Sequence, residues 1–174
     1  MSDARFPIGK FQWPGAVTAA DRKQWIGTLA NLPAAFRAAV AGLTEEQLNT
    51  PYREGGWTVR ELVHHVPDSH MNSYVRFKLG LTENEPTIKP YDEAAWARLA
   101  DTTSIPVETS LCLLDCLHQR WVAVLQSMSD ADWQRNVTHP ELGKVSLENL
   151  LALYDWHSRH HTAHITALRC AKGW

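Results

Sequence analysis

The chain lacks several features that would place it in a common class of protein. It has three cysteines, an odd number that argues against a disulfide framework. No run of about 18 apolar residues is present, which excludes a membrane-spanning helix. The net charge of −2 argues against the basic surface that non-specific nucleic-acid binding needs. The N-terminal residues lack the apolar core of a secretory signal, so we expect a cytoplasmic protein.

Strict alternation of apolar and polar residues is also missing over any length that could form a sheet. Apolar residues instead recur at spacings of three and four in four long segments, which indicates amphipathic helices. The length suits one domain, and we expect residues 1–174 to form a single helical domain. The sequence therefore predicts an all-α four-helix bundle with short extra helices, in which residues 80–105 can carry a crossover connection.

Local signals mark where the long helices begin, end and bend. Thr58, three residues before a Glu, predicts a capping box at the start of the second long helix. Ser146 predicts the start of the last helix and Gly173 its end. We expect Pro33 to kink or split the first helix and Pro67 to bend the second.

Histidine is the residue that the chain has in excess, with nine copies. Most fall in two groups: His64, His65 and His70 in the second long helix, and His157, His160, His161 and His164 in the last. Helical residues four apart have Cβ atoms about 5–6 Å from each other, so that two imidazoles can hold one metal ion.

The last helix offers two such pairs, His157 with His161 and His160 with His164. The spacing does not choose between them. Because the apolar stripe continues along the face of His161, it favours His157 and His161 as the pair that points into the bundle.

A third ligand must come from the other histidine group. Three histidines with an open fourth position are typical of catalytic zinc. The alternative is that these histidines are hydrogen-bonded core residues or part of a solvated face. His118 and His139 are isolated, and we interpret them as structural or exposed.

Five segments, in this order, resemble the YfiT-type branch of the DinB superfamily. They are residues 51–60 (PYREGGWTVR), 63–72 (VHHVPDSHMN), 76–79 (RFKL), 90–93 (PYDE) and 156–165 (WHSRHHTAHI). The resemblance covers almost the whole chain. It implies a DinB-like four-helix bundle with a crossover connection, often a homodimer, that binds a divalent metal ion through three histidines.

Motif by motif, the resemblance implies that the metal ligands are His65, His157 and His161. His65 is preferred to His64 because of its place before the Asp-Ser-His segment. The metal is expected to be zinc, with nickel as the alternative.

Pro67 departs from the family pattern, which usually has a small helix former at this position. A proline here could shift His70 and Asn72, which we expect near the pocket, relative to His65.

The resemblance implies a hydrolase acting on a small molecule, with a metal ion that lowers the pKa of bound water. Related members resemble thiol S-transferases, in which the metal would deprotonate a low-molecular-weight thiol such as bacillithiol. Asp68, one turn from His65, is our candidate catalytic residue, as a general base or as a group that orients an imidazole. The preceding loop could cover the site, and Arg53 in it could hold a carboxylate or phosphate.

Two further functions remain open. The first is a non-catalytic, metal-stabilised interaction protein, which would require a closed shell of four ligands. No cysteine accompanies the histidines, which weakens this alternative, but a fourth ligand such as His64 or His164 would revive it. The second is a bundle that binds a small apolar ligand and no stoichiometric metal.

Overall fold

The computed structural model describes residues 3–174 and is built on four long helices. These are α1 (Ala19–Val40), α3 (Val59–Thr82), α6 (Val107–Ser127) and α8 (Leu147–Lys172). The short helices are α2 (Glu45–Leu48), α4 (Glu93–Trp96), α5 (Ala100–Ser104) and α7 (Asp130–Trp133). A small antiparallel hairpin joins β1 (Asn136–His139) to β2 (Gly143–Ser146). The predicted helical bundle with short extra helices is confirmed.

The helix starts follow the capping signals in the sequence. The Thr58 hydroxyl accepts a hydrogen bond from the Glu61 N–H, and the Glu61 carboxylate accepts one from the Thr58 N–H. At the start of α8 the Ser146 hydroxyl accepts a hydrogen bond from the Asn149 N–H, and Gly173 ends the helix in the left-handed conformation at φ 69°. The predicted limits of α8 are confirmed.

Contacts between the long helices define their directions. Near the starts of α3 and α6 the His64 ring bonds to the Ser110 hydroxyl, and further along both helices His70 bonds to His118. The two helices therefore run in the same direction. Residues 83–106 must return along the bundle before α6 begins, which confirms the crossover connection.

The two prolines do not interrupt their helices, so the expectation that Pro33 could split the first helix is wrong. Pro33 lies within the unbroken 22 residues of α1, and Pro67 lies within the 24 residues of α3. Each proline removes one backbone donor, so the carbonyl four residues earlier loses its helical partner. For Pro33 that carbonyl belongs to Leu29, which accepts a hydrogen bond from the His118 ring instead, at 2.6 Å.

The apolar core has two parts, separated by a layer of imidazoles. One part surrounds Phe77 and Trp121, and the other surrounds Phe36 and Ile165. Along α8 the histidines fall between the residues of the two parts, and on α3 His70 does so, whereas His64 and His65 lie among residues of the second part. Within residues 3–174, none of the helices combines the length and the apolar character needed to cross a bilayer.

Candidate metal centre

Three histidine side chains from two helices meet at the boundary between the two core parts. His65 comes from α3, and His157 and His161 come from successive turns of α8. One ring nitrogen from each lies within 4.8 Å of the other two. The ring centroids are 5.5 Å apart for His65 and His157, 5.0 Å for His65 and His161, and 4.4 Å for His157 and His161.

We call His65, His157 and His161 the inner group. Their electrostatics suit metal binding. Burial lowers the pKa of His65 to about 4. Burial lowers the pKa values of His157 and His161 well below their usual range, and repulsion from neighbouring imidazoles adds a smaller decrease. All three rings are therefore neutral at pH 7, which is the state in which histidine binds a metal ion. The donor set of three neutral imidazoles fits a divalent transition metal such as zinc.

An open cavity of about 800 Å³ adjoins the inner group. His157 and His161 line it, together with Tyr52 and Arg53 from the loop that precedes α3. Trp57 of the same loop packs against His65, with ring centroids 4.5 Å apart. The loop thus lies where the sequence suggested, beside the three histidines.

Several polar side chains of the cavity wall have buried atoms without a protein partner. The Nε atoms of Arg53 and Arg76 are both buried and make no hydrogen bond to the described residues. Tyr91 also lines the cavity, and burial, with the nearby Glu93 charge, raises the pKa of its hydroxyl. Arg53, Arg76 and Tyr91 therefore bring side chains with N–H and O–H groups to the cavity wall.

A second group of histidines, which we call the outer group, lies on α8. His160, His161 and His164 each place one nitrogen within 4.8 Å of the others, so that His161 belongs to both groups. Trp156 stacks on His160 at 4.2 Å, and Tyr52 packs on His164 at 4.0 Å. The outer group is thus formed by one helix alone and is covered by aromatic rings.

Two other histidines of α3 lie outside both groups. His64 bonds through Nδ1 to the Ser110 hydroxyl on α6, at 2.8 Å, so its position does not complete a fourth-ligand shell. His70 is not part of the cavity wall, where we expected it. It is fully buried and bonds to His157 Nδ1 through Nε2, at 3.1 Å, and to His118 through Nδ1, at 2.9 Å.

Asp68 is not among the residues that line the cavity. Burial and the charge of Asp101 raise the pKa of its carboxyl group to about 6. Its backbone carbonyl accepts a hydrogen bond from the Asn72 amide. Within residues 3–174, no hydrogen bond joins the Asp68 carboxylate to a histidine ring, so its assignment as the catalytic base stays a prediction.

The sequence profile of the DinB superfamily matches residues 28–165. The chain belongs to the DinB superfamily. A protein of Geobacillus thermodenitrificans is 55% identical to it over 172 residues, covering 98% of this chain and 96% of the relative. A protein of Bacillus mycoides is 52% identical over 174 residues and the full length of both chains. Both carry the name "Putative metal-dependent hydrolase".

Solved structures agree with this DinB assignment. YfiT from Bacillus subtilis, described as a probable metal-dependent hydrolase with an unusual four-helix bundle topology, superposes with a TM-score of 0.95. It is 48% identical to this chain and covers 98% of it, as this chain covers 98% of YfiT. The four-helix bundle protein TT2238 shares the fold at a TM-score of 0.55 and 17% identity, covering 86% of this chain and 98% of its own.

Proposed function

We propose that this DinB protein is a metal-dependent hydrolase whose divalent ion, zinc in the first instance and nickel as the alternative, is held by His65, His157 and His161. The observation that carries the proposal is the convergence of three neutral imidazoles from α3 and α8 beside an open cavity. The relatives named for metal-dependent hydrolysis are similar over the full chain, which supports the same chemistry here.

The chain's own residues would bind the ion and leave one face of it towards the cavity. A bound ion supplies Lewis acidity at that face. The three imidazoles hold it without adding charge, because each is neutral. The guanidinium groups of Arg53 and Arg76, on the cavity wall, would donate to acceptor groups of the substrate, as would the hydroxyl of Tyr91. We therefore expect a small polar substrate that carries several hydrogen-bond acceptors.

A thiol S-transferase, using bacillithiol or a similar small thiol, is the second candidate. A thiol that binds a metal ion is deprotonated outright, so the reaction needs no protein base. Asp68, the predicted base, does not line the cavity, which fits a reaction that uses no protein base. Assays of the zinc-loaded protein with ester substrates and with a thiol plus an electrophile would separate the two activities.

The closed structural metal site that the sequence left open has less support. Such a site fills four positions with protein groups. The inner group contributes three nitrogens, and two of its residues line the open cavity. The family resemblance also predicts a homodimer, which sedimentation equilibrium would test.

Metal content is the direct test of the proposal. We expect about one zinc or nickel ion per chain in wild type by elemental mass spectrometry, and its loss in His65→Ala, His157→Ala and His161→Ala. His64→Ala is the matched control, since His64 is also buried on α3 but bonds to Ser110. A wild type that stays metal-free after zinc reconstitution would contradict the proposal.

A further inference from the structure

A continuous chain of hydrogen bonds runs from a backbone carbonyl of α1 to His157. The Leu29 carbonyl oxygen lies 2.6 Å from His118 Nδ1. His118 Nε2 lies 2.9 Å from His70 Nδ1, and His70 Nε2 lies 3.1 Å from His157 Nδ1. We call this chain the imidazole relay. It links α1, α6, α3 and α8 through three rings.

The Leu29 carbonyl determines the direction of every bond in the relay. A carbonyl oxygen only accepts, so His118 Nδ1 must carry the proton. His118 is 2% exposed, and burial lowers its pKa to about 4, so the ring is neutral and its Nε2 accepts. The proton between the next two rings is then on His70 Nδ1. By the same argument His70 Nε2 accepts, and His157 donates from Nδ1.

The opposite direction conflicts with the same geometry. It would place the lone pair of His118 Nδ1 against the oxygen of Leu29 and leave two buried acceptors without a proton between them, which is unfavourable. A charged ring within the relay is also unfavourable, because His70 is completely buried. In the described part of the chain, no carboxylate hydrogen-bonds to any of the three rings.

Pro33 explains why the Leu29 carbonyl is free to anchor the relay. In an α-helix this oxygen would accept from the N–H of the residue four positions later. That residue is Pro33, which has no N–H. The carbonyl would be an unpaired buried acceptor without the bond from His118.

We propose that the imidazole relay fixes His157 as its Nδ1–H tautomer and so presents the Nε2 lone pair to the metal ion, with His70 and His118 as positioning residues. The part of this inference that concerns the metal ion rests on the proposed function, whereas the part that concerns the tautomers does not. Partners of this kind, which accept from the second nitrogen of a metal-binding histidine, typically change metal affinity about 10–100-fold when lost. Here the acceptor is another imidazole, itself held by a third ring.

Tautomers in the metal-free protein test the relay independently of any metal. Long-range ¹H–¹⁵N spectra at pH 7.5 should show His118, His70 and His157 all as Nδ1–H tautomers. In His118→Phe, the ¹⁵N shifts of His70 and His157 should move towards a mixture of tautomers. A wild type in which His157 is the Nε2–H tautomer would overturn the inference, whether or not the protein binds metal.

Zinc affinity tests whether the relay positions the ligand. Chelator competition should give a dissociation constant about 10–100-fold weaker for His70→Phe and His118→Phe than for wild type. His118→Gln serves if the Phe variant does not fold, as judged by circular dichroism. His64→Phe removes a buried histidine outside the relay and should change the constant by less than about threefold. Equal affinities for wild type and the folded relay variants would overturn the positioning role, whereas a wild type that binds no zinc would contradict the proposed function instead.

Discussion

The inner and outer histidine groups share His161 but differ in what surrounds them. The inner group joins two helices, and His157 in it is hydrogen-bonded from behind by the imidazole relay. The outer group lies on α8 alone, where aromatic rings stack on its members. In both groups one ring nitrogen of each member lies within 4.8 Å of the other two, and every member is a histidine. We expect the support behind a ring, rather than the spacing of the histidines, to distinguish the better metal site.

The largest expected effect separates the two groups directly. His65 belongs to the inner group alone and His160 to the outer group alone. Loss of a partner that supports a ligand weakens metal binding by up to about 100-fold. We expect His65→Ala to weaken zinc binding by more than this, because a ligand itself is removed. We expect His160→Ala to retain one zinc per chain. Isothermal titration with zinc measures both, and the reverse ranking would assign the metal to the outer group.

The second prediction concerns turnover, which the inner group and Asp68 would control separately. If Asp68 is the general base of a hydrolase, Asp68→Asn should lower kcat by about 100-fold or more, with metal content unchanged. Because the pKa of Asp68 is raised to about 6, the base form is lost as the pH falls through that value, and wild-type activity should fall there too. Unchanged hydrolysis in Asp68→Asn would show that Asp68 is not the base.

The third prediction is that the metal-free protein loses stability in acid. The pKa values of His65 and His118 are about 4 in the folded chain, against an ordinary value of 6.5. The unfolded chain therefore binds more protons between these pH values, so the stabilisation is present above pH 6.5 and is lost as the pH falls towards 4. For His65 alone the full shift corresponds to about 3 kcal/mol.

Urea unfolding of the metal-free protein at pH 7 and pH 5 measures this loss. His65→Phe should have a smaller difference between the two pH values than wild type, because one neutral buried imidazole is gone. A free energy of unfolding that is equal or higher at pH 5 would contradict the assignment of these rings as neutral and buried.

The smallest expected effect comes from Pro33→Ala, far from both histidine groups in the sequence. The alanine N–H would compete with His118 for the Leu29 carbonyl, which retains a second lone pair. We expect a loss of zinc affinity of about threefold or less, smaller than that of a deleted relay ring, together with a ¹⁵N shift of His118. Thermal stability should not fall, because alanine is the better helix former. An unchanged His118 spectrum would show that the proline is not needed to free the carbonyl.

The sequence predicted those parts of the fold that depend on neighbours along the chain. The capping box at Thr58 and the stop at Gly173 involve residues within one turn, and both are present. Within the crossover connection, two short helices form at Glu93–Trp96 and Ala100–Ser104. Boundaries within this crossover connection depend on packing against α3, which periodicity does not report.

The candidate site was predictable only in part, for the same reason. The spacing of four and the apolar stripe favoured His157 and His161, and these two rings do lie together with His65. His118, interpreted as an isolated residue, is instead the anchored end of the imidazole relay. Its partners come from α1 and α3, so no local pattern contains them. Its place in the apolar stripe of α6, opposite a helix with an internal proline, was the available signal.

Anomalous diffraction at the zinc edge, from crystals of the zinc-loaded protein, tests the central claim most directly. We predict one anomalous peak per chain, bonded to ring nitrogens of His65, His157 and His161, with Nε2 as the ligand atom of His157. The His70 and His118 rings should remain hydrogen-bonded behind it. A peak bonded to His160 and His164 would contradict the account, as would a zinc ion bound to His157 through Nδ1.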